Sequence, residues 1–186
     1  MKHSFIFILG GARSGKSTFA LELVQHKPGR VLFVATATAS DPEMAARIAS
    51  HQADRPAHWT TIEAPTRVSE AVRNALPADW IVLDCLTLLA GNLLISLPGP
   101  VKSEKFEVML SEEIESLTKL IPESNSNWLI ISNEVGLGVV PAYPLGRIYR
   151  DGLGRANQQL ASLADTVLLM TAGIPLAVKG MLPVQD

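Results

Sequence analysis

Eight residues near the N-terminus, Gly10-Gly11-Ala12-Arg13-Ser14-Gly15-Lys16-Ser17, restrict this chain more than any other stretch. They satisfy the pattern G-x-x-x-x-G-K-[ST], with an apolar run, Phe5–Leu9, before them and a helical pattern, Lys16–Gln25, after them. The glycines let the backbone curl so that its N–H groups surround an anion, a path that a β-carbon would hinder. The helix that follows aims its unpaired N–H groups and positive dipole end at the same point. In such a loop Lys16 reaches the β- and γ-phosphates of a nucleotide, and the Ser17 hydroxyl binds Mg²⁺.

The rest of the chain agrees with a loop of that kind. Short apolar runs at Phe5–Leu9, Val31–Thr36, Trp80–Leu83, Trp128–Ser132 and Thr166–Thr171 lack strict alternation, as strands buried on both faces do. A sixth short strand is expected near Leu176–Lys179. Helical spacing fills the gaps over Lys16–Gln25, Pro42–Ser50, Ser103–Leu120 and Arg147–Ala164, although Gly152 and Gly154 weaken the last. Asp41 is placed to cap the second of these, with Pro42 and Glu43 suited to its first turn. Strands alternating with helices predict an α/β fold, a mostly parallel sheet covered by helices on both faces. With no internal repeat and no dividing linker, residues 1–186 are expected to form one domain.

Ile81-Val82-Leu83-Asp84 is an apolar strand ending in a carboxylate. Asp84 either holds the metal from the neighbouring strand or caps the next helix; beside a complete phosphate loop the metal role is preferred. His51 closes a face shared with Met44 and Ile48 at i, i+4, i+7 spacing. It reads either as a half-buried histidine finishing an apolar face or as a nucleophile near the phosphates, with Arg47 and Arg55 four residues to either side. Glu63 is equally suited to accept hydrogen bonds from a base or ribose or to be solvated. Asn133-Glu134-Val135-Gly136-Leu137-Gly138 follows a strand, where parallel sheets line their ligand crevice. It reads as a substrate loop or as a tight turn only.

Composition removes other classes. Sixteen Lys and Arg against 18 Asp and Glu leave a net charge of -2 with no basic run, which disfavours a nucleic-acid partner. Cys85 is the single cysteine, so no internal disulfide forms and a cytoplasmic setting is favoured. Phe5–Leu9 is too short to span a membrane.

The loop, with Ala35-Thr36-Ala37, Glu43–Ile48, His51 and Arg55-Pro56, resembles the bifunctional adenosylcobinamide kinase/adenosylcobinamide-phosphate guanylyltransferases of cobalamin biosynthesis. The similarity continues through Asp84-Cys85-Leu86-Thr87, Asn92-Leu93-Leu94, Ser132–Pro141, Arg150-Asp151, Asn157-Gln158 and Ala172–Pro175, in order along nearly the whole chain. It implies a kinase step on the aminopropanol hydroxyl of the corrinoid, then GMP transfer from GTP through a guanylylated histidine. The nucleophilic histidine of the family falls on His51. Nucleotide contacts are implied at Gly10, Gly11, Ala12, Arg13, Ser14, Gly15, Lys16, Ser17, Thr36, Ala37, Thr38, Arg47, Gln52, Ala53, Asp54, Arg55, Glu63 and Asp84. Lys16 is implied as catalytic alongside His51, Ser17 and Asp84 as ligands of Mg²⁺, GTP or ATP as co-substrate, and a homotrimer as the assembly. Some members carry two adjacent histidines where this chain has Ser50-His51, and position 84 varies between Asp and Glu. The resemblance weighs against two other readings: a phosphate-loop kinase with a structural His51, and a nucleotide-dependent switch.

Overall fold

A computed structural model describes residues 3–39, 41–99 and 101–183. In chain order the elements are β1 (Phe5–Gly10), α1 (Lys16–Gln25), β2 (Val31–Ala35), α2 (Pro42–Ala53), β3 (Thr60–Glu63), α3 (Val68–Ala75) and β4 (Trp80–Asp84). There follow α4 (Leu86–Ser96), α5 (Ser103–Glu123), β5 (Asn127–Ile131), α6 (Pro144–Leu163), β6 (Thr166–Thr171) and β7 (Ile174–Lys179). The strands form one sheet of order β3-β2-β4-β5-β1-β6-β7. All neighbours run parallel except β6 and β7, which pair antiparallel. This is the α/β architecture that alternating strands and helices predict.

The two-residue period of the strands sorts their side chains between two cores. Phe5 and Phe7 join Leu32, Val34, Ile81 and Leu83 on the face covered by α3, α4, α5 and α6. Ile6 and Ile8 join Val31, Phe33 and Val82 on the face covered by α1. The long helices α5 and α6 meet closely because Gly152 has no side chain, since a β-carbon there would come within 2.5 Å of the Phe106 ring. The glycine that lowers helix propensity in α6 is therefore the one that lets it pack.

Three elements lie outside the sequence expectation. β3 is a four-residue edge strand with mostly exposed side chains, so it carries no apolar signature. α4 is apolar almost all round, which hides the helical period. α3 begins at Arg67 without a side-chain cap of its own; the Glu113 carboxylate of α5 accepts from the Arg67 and Val68 N–H groups at 3.1 and 2.8 Å. None of the described helices is long and apolar enough to cross a membrane.

Candidate active site

The parallel register brings one end of every central strand to the same edge of the sheet. Glu63 and Asp84 both lie opposite Ala35, and Asp84 lies opposite Ile131. Beside them β1 runs into the 10–17 loop, and α2 stands over the edge. The result is a cavity of about 620 Å³, lined by Ala12–Thr18, Ala35, Ala37, Glu43, Met44, Ile48, His51, Gln52, Arg55, Glu63, Asp84, Cys85, Thr87, Leu88, Ile131 and Asn133.

The loop holds its shape through its carbonyls. Gly10 O accepts from Glu134 N at 3.0 Å, Gly11 O from Lys16 Nζ at 2.6 Å, and Ser14 O from Gly173 N at 3.0 Å. Gly15, at φ 91°, starts α1 in the left-handed region, and a β-carbon there would press on Gly173 at 3.2 Å. Lys16 is buried, and its ammonium also lies 3.4 Å from Ser14 Oγ.

Asp84 closes β4 on the cavity floor. Burial pushes its carboxyl above the ordinary range, while a hydrogen bond from Ser17 and the influence of His51, Arg55 and Lys16 pull it back. A hydroxyl and a carboxylate meeting beside a phosphate loop are hard oxygen donors of the kind Mg²⁺ takes in combination with phosphates and water. No cluster of three or more His, Cys, Asp or Glu side chains among the described residues is placed to hold a metal, so the fit is to an ion shared with a ligand. Next door, burial and the Asp84 charge push the Cys85 thiol up to about 11.

α2 begins where Asp41 Oδ1 accepts from Met44 N at 2.8 Å, and Pro42 occupies its first turn. Met44, Ile48 and His51, the residues spaced along one face, line the cavity instead of entering either core. The Arg55 guanidinium lies 3.8 Å above the Phe33 ring, and Phe33 in turn stacks on Trp59. Burial lowers the Arg55 pKa, opposed by Asp84 and Glu63, and its Nε and Nη1 have no hydrogen-bond partner among the described residues. Two buried guanidinium donors fixed in place by stacking beside two carboxylates form a ready anion or ribose contact.

Not every residue implied by the resemblance reaches the cavity. Gly10 and Gly11 shape the loop without lining the space. Thr36 is fully buried; its hydroxyl donates to Cys85 O and accepts from Cys85 N, both at 2.8 Å. Thr38, Ala53 and Asp54 are exposed and outside the lining, and the side chain of Arg47 lies outside the described residues. Thr87, Leu88 and Asn133 line the cavity without having been singled out individually; the position of the 133–138 segment after a strand was the one available signal.

The sheet and its loop define a phosphate-loop NTPase-type α/β protein. A solved chain from Pyrococcus horikoshii OT3 has the same architecture, at TM-score 0.54 over 96% of this chain and 87% of that one, with 6% identity. Residues 6–178 match the family described as cobinamide kinase / cobinamide phosphate guanyltransferase, and the chain belongs to that family. It is 40% identical over 180 residues to the bifunctional adenosylcobalamin biosynthesis protein CobU of Salmonella typhimurium, covering 94% of this chain and 99% of that protein. It is 41% identical over 174 residues to the bifunctional adenosylcobalamin biosynthesis protein CobP of Pseudomonas aeruginosa, covering 93% and 96%.

Proposed function

We propose that this chain phosphorylates the aminopropanol hydroxyl of adenosylcobinamide with a nucleoside triphosphate, ATP or GTP, and then transfers GMP from GTP to the new phosphate. The observation that carries this reading is the convergence of Lys16, Ser17, Asp84, Arg55, Glu63 and His51 on one cavity. Both reactions need a triphosphate held by its charge, and the second needs a nucleophile within reach of the α-phosphorus.

In the kinase step the loop N–H groups and the Lys16 ammonium hold the β- and γ-phosphates, and Arg13 adds positive charge at the rim. In the guanylyl step an imidazole nitrogen of His51 forms a bond to the α-phosphorus of GTP. The α–β phosphoanhydride bond breaks, and pyrophosphate leaves with its electron pair. The corrinoid phosphate then attacks the same phosphorus, the N–P bond breaks, and His51 is regenerated. Arg55 donates toward the developing phosphoryl charge, and Glu63 accepts from the base or ribose. Ser17 and Asp84 would hold Mg²⁺, which neutralises phosphate charge when bound. The chain acts in the cytoplasm as a homotrimer, a reading supported by the family resemblance and by exposed apolar side chains on β7.

The test is incubation of the purified protein with Mg²⁺ and α-phosphate-labelled GTP, followed by denaturation. Acid-labile, base-stable label on the wild type that is absent from His51→Ala is the expected result. Folded, GTP-binding wild type that takes up no label would sink the covalent step.

A further inference from the structure

Asn133 occupies a position that the two reactions, as described, leave without a role. Its strand, β5, lies between β1, which leads to Lys16, and β4, which ends in Asp84. The chain leaving β5 therefore emerges between the residue that reaches the terminal phosphates and the carboxylate opposite it. Several bonds hold it there. Ser132 N donates to Ile8 O at 2.9 Å, and Glu134 N donates to Gly10 O at 3.0 Å. The N–H of Asn133 donates to Thr87 Oγ1 at 2.7 Å, and its carbonyl accepts from Asn157 Nδ2 at 3.1 Å. Asn157 is itself buried and held by Ser132 Oγ at 2.8 Å, while the Thr87 carbonyl accepts from Tyr149 at 3.0 Å.

Both main-chain polar groups of Asn133 are thus committed to side chains of α4 and α6. Its carboxamide is different: it has no hydrogen-bond partner among the described residues, on a residue that lines the cavity. A primary amide offers two N–H donors without net charge. Fixed by its backbone, it contributes a preorganised dipole at little cost in reorganisation.

We propose that Asn133 contacts the substrate in the kinase step, donating a hydrogen bond from its carboxamide to the γ-phosphoryl group in transfer, and that guanylylation of His51 does not use it. The assignment rests on the two-reaction reading above. In that step the corrinoid hydroxyl oxygen forms a bond to the γ-phosphorus, and the bond from that phosphorus to the β–γ bridging oxygen breaks. The nucleoside diphosphate leaves with the electron pair, and the hydroxyl proton passes to solvent. Attack by His51 occurs at the α-phosphorus, approached from α2. Asn133 instead follows β5, the strand between the β1 that leads to Lys16 and the β4 that ends in Asp84, the groups assigned to the terminal phosphates.

The experiment compares wild type, Asn133→Ala and Asn133→Asp in the full chain, with two readouts. One is cobinamide phosphorylation from γ-labelled nucleotide; the other is the rate of His51 labelling from α-labelled GTP in the absence of corrinoid. Asn133→Ala keeps the backbone bonds to Thr87 and Asn157, so the fold is retained. The expected result is a fall in kinase kcat of about 10²- to 10³-fold, as for loss of one transition-state donor, with little change in nucleotide KM or labelling rate. Asn133→Asp should fall further, because a carboxylate repels the phosphoryl group. Unchanged kinase turnover in Asn133→Ala, or loss of both activities by the same factor, would overturn the assignment. Wild type that phosphorylates but never labels would refute the guanylyl-histidine step alone, and the kinase comparison would still decide for or against Asn133.

Discussion

Asp84 shows how a site group can work against the fold that carries it. Burial raises its pKa more than Ser17 and the neighbouring charges lower it. A carboxyl whose folded pKa lies above its unfolded value adds no penalty while both states are protonated. The penalty grows as pH rises from the ordinary carboxylate range through the raised value. At neutral pH the buried carboxyl therefore costs stability in the ligand-free protein. Asp84→Asn should raise Tm by a few degrees, on the order of 1 kcal/mol, while lowering Mg²⁺-dependent turnover by roughly 10²-fold or more. The gain should shrink as pH falls into and below the ordinary carboxylate range, where the folded and unfolded states both take up the proton. Thermal melts across pH, alongside kinase assays, check both parts; a lower Tm for Asp84→Asn at pH 7 would refute the burial argument. The carboxylate was legible from the apolar run before it. Its Ser17 contact was not, because it depends on β4, β5 and β1 being assembled side by side.

Among the elements, the end of β2 is tied to α4 through two residues. Asn92 Nδ2 donates to Thr36 O at 2.8 Å and to Pro65 O at 3.0 Å, while the Thr36 hydroxyl bridges both main-chain groups of Cys85. This clamp sits directly after Asp84 and sets the direction in which β4 ends. Thr36→Val removes the hydroxyl and leaves Cys85 N–H buried without that partner, at a cost of about 1–3 kcal/mol. Urea denaturation should show that loss, and the Mg²⁺ concentration for half-maximal activity should rise. Thr36→Ser should restore both. An unchanged Mg²⁺ requirement in Thr36→Val would leave the clamp with a role in stability alone. The family resemblance implies Thr36 as a nucleotide contact; its burial belongs to the pairing of β2 with β4. The same limit explains α3, whose N-terminal N–H groups are capped by Glu113 from another helix.

For the whole molecule, the sheet ends at β7 with Ile174, Leu176 and Val178 exposed at 70%, 60% and 65%. Met181 is also exposed, as are Leu137 and Val139 in the loop after β5. An isolated chain with this much apolar side-chain surface is a candidate for association. In the trimer proposed above, wild-type protein should sediment as one species of three times the chain mass at micromolar concentration, with little dependence on salt. A monomer under those conditions would refute the assembly.

Local chemistry was enough for the phosphate loop, the apolar strands, the capped start of α2 and the carboxylate after β4. Each is recorded within about ten consecutive residues, as a period, a cap or a turn. β3 and α4 escape that reading because an exposed edge strand and a helix apolar nearly all round have no clear local period to show; α3 has the period, in Val68, Val72 and Ala75, but no side-chain cap of its own to mark its start. The placement of His51, Glu63 and Asn133 around one cavity lies beyond local reading for a related reason. They come from α2, β3 and the chain after β5, and no spacing in the sequence encodes the order in which parallel strands lie side by side.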